Sequence, residues 1–177
     1  GVVYVADTGN HTIRRITADG TVTTIAGQAG SAGSTPGTGS TDALNARFNA
    51  PRGIAVNTAG TVITVADTGN HTIRTLTIGP TVTTATLLAG SPGSSGTANG
   101  TGSAARFNSP WAIALSSTGA VFVADTDNHA IRRVETTGAV TTPAGLAGTA
   151  GNAIGTGSAA RFSSPRGIAV EANSNVY

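Results

Sequence analysis

The chain has 177 residues, a formal net charge of +2 and only 10% charged residues, against roughly 25% in an average soluble domain. Cysteine is absent and every basic residue is arginine, which excludes a disulfide framework, a thiolate metal site, a lysine phosphate loop and a lysine nucleophile. The charge lacks the dense basic footprint of a nucleic-acid binder, and no apolar run approaches the roughly 20 residues of a membrane helix, so we expect neither nucleic-acid binding nor membrane insertion.

Internal repetition is the strongest signal in this sequence. A first segment occurs at Val3–Ile16, Ile63–Leu76 and Val121–Val134. A second segment, Ala-Arg-Phe followed by a proline and a short apolar run, occurs at 46–56, 105–115 and 160–170. The whole chain is therefore interpreted as one array, residues 1–177, with approximate periods 1–60, 61–119 and 120–177.

In chain order, the middle period predicts four strands joined by turns. The predicted strands are Gly53–Val56, Val62–Ala66, Ile73–Thr77 and Thr81–Leu88. The segments between them carry Gly, Asn, Asp or Pro, which favour turns, and a long Gly/Ser/Ala loop leads to the next period. No segment shows a helical period.

Four antiparallel strands in every repeat are typical of an all-β propeller. One blade alone cannot bury both of its apolar faces, so neighbouring blades must cover them. The pattern V-x-V-A-D-T-x-N-H-x-I-R, together with A-R-F-x-x-P-x-G-I-A-V, resembles the NHL repeats of the long type with a glycine-rich loop. The resemblance implies a β-propeller with six blades as the usual ring, of which this chain would form three four-stranded blades.

Three blades do not close such a ring, and three interpretations remain open. The chain is half of a six-bladed propeller, or two copies close one ring, or repeats continue from subunit to subunit in a fibre. In a closed ring, we expect residues 168–177 to pair with the first repeat.

The repeated Asp-Thr-x-Asn-His turn is interpreted as structural, with Gly9 and Gly69 in the left-handed conformation and Asp127 tolerated there. A metal ring is disfavoured, because equivalent histidines of neighbouring blades lie far apart. The residues concerned are Asp7, Asn10, His11, Asp67, Asn70, His71, Asp125, Asn128 and His129.

The Ala-Arg-Phe segment is predicted to orient the blades. The phenylalanine would fill the space between blades, and the arginine would pair with an aspartate such as Asp67 or Asp7 through a partly buried bidentate bond. These residues are Arg47, Phe48, Arg106, Phe107, Arg161 and Phe162.

A third set, Arg52, Trp111 and Arg166, shares one position just before the innermost strand. By propeller geometry this position lies near the mouth of the central channel. A tryptophan beside arginines is typical of a recognition hot spot, although Trp111 fits a core position equally well.

No nucleophile elbow, paired catalytic carboxylates or three-ligand metal site is found, so we predict no catalytic residues, no metal and no cofactor. The predicted function is a non-enzymatic scaffold for protein–protein contact or self-assembly, whose partners are copies of itself or further repeats of the same chain. The alternatives are a subunit of an extracellular filament, and a ligand- or carbohydrate-binding propeller. Composition favours an extracellular or cell-surface location.

Overall fold

The structure is a computed structural model, and it describes residues 1–37, 42–78, 83–171 and 175–177. Its strands form three separate antiparallel sheets that follow one another along the chain. Within the ranges just given, no helix is long and apolar enough to cross a lipid bilayer.

The first sheet has three strands, in the order β1-β2-β3, and the second has four, in the order β4-β5-β6-β7. Each connection joins neighbouring strands, as expected where short turns separate β-branched segments. The strands are β1 Val3–Asp7, β2 Thr12–Ile16, β3 Val22–Ala26, β4 Ile54–Val56, β5 Val62–Asp67, β6 Thr72–Ile78 and β7 Thr83–Gly90.

The third sheet has five strands, in the order β8-β12-β11-β10-β9. The additional strand β8 precedes the other four in sequence and pairs with the outer edge of β12. The strands are β8 Gly100–Thr101, β9 Pro110–Leu115, β10 Val121–Asp125, β11 Ala130–Val134 and β12 Ala139–Ala144.

The expectation of three equal four-stranded blades therefore holds for the second sheet alone. The sheets do not close into a ring. The described parts of the segment 168–177, residues 168–171 and 175–177, do not pair with the first sheet; instead, the Ala169 amide donates to the Tyr177 carbonyl at 2.8 Å, and the Tyr177 amide donates back at 2.9 Å. This local pairing leaves β1 with one neighbouring strand, β2.

The predicted strands agree with the observed ones to within two residues at each described boundary. Three predictions lie partly outside the described residues: positions 81 and 82 of the predicted fourth strand, positions 79 and 80 of the turn before it, and positions 172–174 of the segment 168–177. A single helical turn, α1 Asp42–Asn45, was not predicted, because four residues are too few to show a helical period.

The core lies between successive sheets rather than inside any one of them. Phe48 packs with Ile13 and Ala26 of the first sheet and with Ile63 and Val65 of the second. Phe107 occupies the equivalent position between the second and third sheets. Burying one apolar face of each sheet against its neighbour is what stabilises a repeat array.

Candidate functional site

Each repeated aspartate ends a strand and leads into a short 3-10 turn, at Thr8–Asn10, Thr68–Asn70 and Thr126–Asn128. The left-handed residue after this turn is the histidine, with φ of 59° at His11, 59° at His71 and 55° at His129. The prediction that Gly9 and Gly69 are left-handed is wrong, because the 3-10 turn delays the reversal of the chain by two residues. Asp127 therefore sits at a position that needs no positive φ.

The side chain of Asp67 accepts hydrogen bonds from the Asn49 amide at 2.7 Å and from Asn70 Nδ2 at 2.8 Å. The guanidinium of Arg74 lies 3.6 Å from the same carboxylate. Burial raises the pKa of Asp67 to about 6, against the lowering effect of these three partners.

The third repeat reproduces this arrangement more tightly. Asp125 accepts from the Asn108 amide at 2.8 Å, from Asn128 Nδ2 at 2.7 Å and from Arg132 at 2.8 Å. Burial likewise raises the pKa of Asp125 to about 6. In the first repeat, Asn10 bonds both oxygens of Asp7 at 3.0 Å, and Arg14 lies 3.4 Å away.

The arginine that pairs with the repeated aspartate is therefore the one on the next strand, and the predicted pairing of Arg47, Arg106 and Arg161 with these aspartates is wrong. Strand register explains this difference. Asp67 is directly opposite Thr72, and the residue two positions further, Arg74, lies diagonally across on the same face of the sheet.

The arginines of the Ala-Arg-Phe segment instead donate to nearby carbonyl groups. Arg106 bonds the carbonyls of Ser103 at 2.6 Å and Ala105 at 2.7 Å. Arg161 makes the equivalent contacts, and Arg47 reaches the Asn45 carbonyl at 3.5 Å. These side chains hold the loop before the innermost strand.

The phenylalanines lie against the arginines of the Asp–Arg pairs. Phe48 and Phe107 are completely buried, with the guanidinium carbon of Arg74 4.4 Å from the Phe48 ring centroid and that of Arg132 5.2 Å from Phe107. Phe162 is half-buried and lines an apolar cavity of about 290 Å³ with Phe122, Ile131 and Tyr177.

The histidine and the threonine of each turn bond the proline-containing segment that follows their sheet in the chain. The Nδ1 atom of His11, His71 and His129 accepts the amide of Ala50, Ser109 and Ser164, at 3.0, 3.1 and 3.0 Å respectively. The hydroxyl of Thr8, Thr68 and Thr126 donates to the carbonyl of Pro51, Pro110 and Pro165, at 2.7, 2.6 and 2.7 Å. We call this pair of bonds the junction clamp.

The threonines of the clamp were missed by sequence reasoning, although their presence in all three copies of the Asp-Thr turn was a visible signal. The structure does not bring the histidines together. Among the residues it describes, no three His, Cys, Asp or Glu side chains are placed to share a metal ion.

The third predicted set does come together. The guanidinium carbon of Arg52 lies 3.7 Å from the centroid of the Trp111 ring, and that of Arg166 lies 4.5 Å from it. Both arginines are exposed, and Trp111 is partly buried. Three successive repeats thus each contribute one residue to a single stack.

Comparison with known sequences gives matches to one family of repeats. The family model described as NHL repeat matches residues 107–133. The human protein NHL repeat-containing protein 2 is 28% identical over 134 residues, which cover 73% of this chain and 18% of that protein.

Two solved structures show the same fold. An auxiliary nutrient-binding protein from Bacteroides thetaiotaomicron is 21% identical with a TM-score of 0.72, over 98% of this chain and 41% of that one. Virginiamycin B lyase from Staphylococcus aureus is 18% identical with a TM-score of 0.57, over 99% of this chain and 44% of that one. The chain thus spans less than half the length of these relatives, which include an enzyme and a binding protein.

Proposed function

We propose that this chain, which is built from NHL repeats in a propeller-like fold, is a non-enzymatic scaffold for protein–protein contact and self-assembly. Its partners in this proposal are copies of itself or further repeats of the same chain. A secreted or cell-surface setting is part of the proposal and agrees with the low charge of the sequence.

The observation that carries the proposal is the repetition of the junction clamp. The same hydroxyl-to-carbonyl and amide-to-imidazole bonds join the first sheet to the second, the second sheet to the third, and the third sheet to Ser164 and Pro165. The repeated histidines, which the sequence offered as candidate metal ligands, are therefore engaged in hydrogen bonds to the segment that follows their sheet. Because the junction uses the same residue types each time, another repeat can join the array through the same types of contact.

The first sheet offers a place where such an addition would occur. Strand β1 is paired on one side, and Val3 and Val5 on it are 56% and 38% exposed. An unpaired edge strand with apolar side chains is a template for another strand. In the second and third sheets, an Ile-Ala strand occupies the equivalent edge, as β4 and β9.

Measurement of the native mass by light scattering at increasing protein concentration tests this proposal. We expect association of the wild-type chain, and loss of it in Val5→Lys, because a lysine on an edge strand opposes strand pairing. Ile154→Lys is the matched control, since Ile154 is fully exposed outside the sheets and its replacement should leave association unchanged.

A single-chain mass at every concentration would overturn the proposal, as would equal association of the Val5→Lys variant. A discrete assembly would indicate a closed ring, whereas an open-ended distribution of masses would favour the filament. A second candidate function, a ligand- or carbohydrate-binding propeller, is supported by the likeness to the nutrient-binding protein.

A further inference from the structure

The stack of Arg52, Trp111 and Arg166 is the exposed polar cluster that the junction clamps do not use. Stacking on an indole is the strongest of the cation–π contacts in proteins, and two guanidinium groups share one ring here. The stack holds both arginines in place without occupying their hydrogen-bonding edges. A guanidinium that lies over a ring presents its N–H donors sideways, in the geometry that a carboxylate accepts bidentately.

The charges of this stack are not balanced within the described part of the chain. The ion pairs found there involve Arg14, Arg74, Arg132 and Arg133, and none involves Arg52 or Arg166. Because both guanidinium carbons are close to one centroid, they lie no more than about 8 Å apart and repel each other. An anion that contacts both would remove this repulsion.

We propose that Arg52, Trp111 and Arg166 bind the carboxylates of an acidic, extended peptide segment of a partner protein. Alternate residues of an extended strand are about 7 Å apart on one face, which lies within the upper limit of about 8 Å on the separation of the two guanidinium carbons. A Glu-x-Glu segment can therefore place one carboxylate on each arginine. This inference rests on the proposed role in protein–protein contact and gives that role a specific surface and chemistry.

Single-stranded nucleic acid is the competing anion, and the geometry disfavours it. Binding of that kind uses aromatic faces for base stacking together with a groove of many positive charges. Here the tryptophan face is already covered by guanidinium, and the whole chain carries a net charge of only +2. Carboxylates need only the two donors that the stack supplies.

Fluorescence measurements test the site directly, since Trp111 is the only tryptophan of the chain. We expect a fluorescein-labelled hexaglutamate peptide to bind saturably in anisotropy titrations, and the unlabelled peptide to change the tryptophan emission. Hexaglutamine should do neither. Work at a protein concentration below any self-association keeps the result independent of the test of assembly.

Substitution then locates the binding. Arg52→Gln and Arg166→Gln should each weaken the peptide affinity about tenfold, equivalent to about 1.4 kcal/mol, because each variant loses a charge-assisted hydrogen bond. Arg47→Gln removes the same charge at a position that donates to a backbone carbonyl, so this control should retain wild-type affinity. Circular dichroism verifies that each variant is folded, and the two single variants provide independent tests.

Three results would overturn the proposal. The first is the absence of saturable peptide binding. The second is an equal loss of affinity in Arg47→Gln, which would indicate non-specific charge attraction. The third is tighter binding of a labelled oligothymidylate than of the acidic peptide, with the same dependence on Arg52 and Arg166, which would assign the surface to nucleic acid.

Discussion

At the scale of single residues, the repeated Asp–Arg pair is partly exposed in the first sheet and buried in the second and third. In the first sheet, the side chains of Arg14 and Asp7 are 31% and 28% exposed. In the third sheet, those of Arg132 and Asp125 are completely buried. The sequence distance within each pair is identical, so the repeats provide an internal comparison of exposed and buried ion pairs.

Arg132→Met should lower the free energy of unfolding by about 3–5 kcal/mol, because the buried Asp125 would lose its cation. Arg14→Met should cost only about 0–1 kcal/mol, since water screens the exposed pair. Urea denaturation of both variants, followed by circular dichroism, measures the two losses. Equal losses would contradict the assignment of the third pair as the buried one.

The buried carboxyl of Asp67 should make the free energy of unfolding depend on pH. Its pKa is about 6 in the folded chain against the ordinary 3.8, so the folded state binds more protons between these values. The stability that this group contributes is fully present below pH 3.8 and is lost as the pH rises to 6, on the order of 1–3 kcal/mol.

We therefore expect the wild type to lose stability relative to Asp67→Asn as the pH rises across this range. Denaturation of both proteins at several pH values measures the difference in their free energies of unfolding. Asp19→Asn is the control of opposite sign. Hydrogen bonds from Thr17 and Thr21 lower the pKa of the exposed Asp19 from 3.8 to about 2. Its contribution is therefore present above pH 3.8 and is lost between pH 3.8 and about 2, the range over which wild type and Asp19→Asn are compared. A pH-independent difference for Asp67→Asn would refute the raised pKa.

At the scale of elements, a glycine at the end of β7, or directly after β3 and β12, closely approaches the histidine turn of the same sheet. Gly90 has φ +98°, and a Cβ built there would lie 2.6 Å from the His71 carbonyl oxygen and 3.2 Å from the Phe107 ring. Gly60 also has a positive φ, +68°, but a Cβ there would meet nothing within 4 Å. A comparison of alanine substitutions at Gly90 and Gly60 therefore distinguishes the cost of steric contact from the cost of the backbone conformation.

Gly90→Ala should therefore destabilise the chain by several kcal/mol, since both the backbone strain and the contact with a carbonyl oppose it. Gly60→Ala should cost about 1–2 kcal/mol, the conformational part alone. Thermal or urea unfolding of the two variants measures the difference between them. A loss at Gly60 as large as that at Gly90 would show that the close approach has no energetic effect.

Elements whose residues alternate were predictable, whereas contacts that depend on register were not. The strands Val62–Asp67 and Val121–Asp125 follow from their β-branched residues. The partner of Asp67 did not follow, because Arg47 and Arg74 both recur once in every repeat and only the register of β5 against β6 selects Arg74. Strand β8 has no alternating pattern at all, since its Gly-Thr sequence is typical of a loop.

The stack on Trp111 marks a similar limit. The shared sequence position of Arg52, Trp111 and Arg166 predicted one common place in three repeats, and the structure places the two guanidinium groups over the ring. Their distances depend on how closely successive repeats pack, which composition and spacing do not determine.

At the scale of the whole molecule, stability should be graded along the array, because each sheet packs only on its neighbours. The second sheet packs on the first through the cluster around Phe48 and on the third through the cluster around Phe107. The first and third sheets each have one such interface among the described residues, but the first sheet has three strands where the third has five. Local opening should therefore begin in the first sheet and in the pairing of residues 168–177.

Amide hydrogen exchange followed by mass spectrometry tests this gradient together with the proposed assembly. In dilute protein, β5 and β10 should exchange slowly, while β1 and residues 168–171 exchange fast, because β1 has a hydrogen-bonded neighbour on one side only. At a concentration where copies associate, protection should increase in β1 and remain unchanged in the exposed loop 151–156.

Slow exchange of β1 in dilute protein would contradict the gradient. Association without added protection of β1 would place the contact between copies on another surface of the molecule.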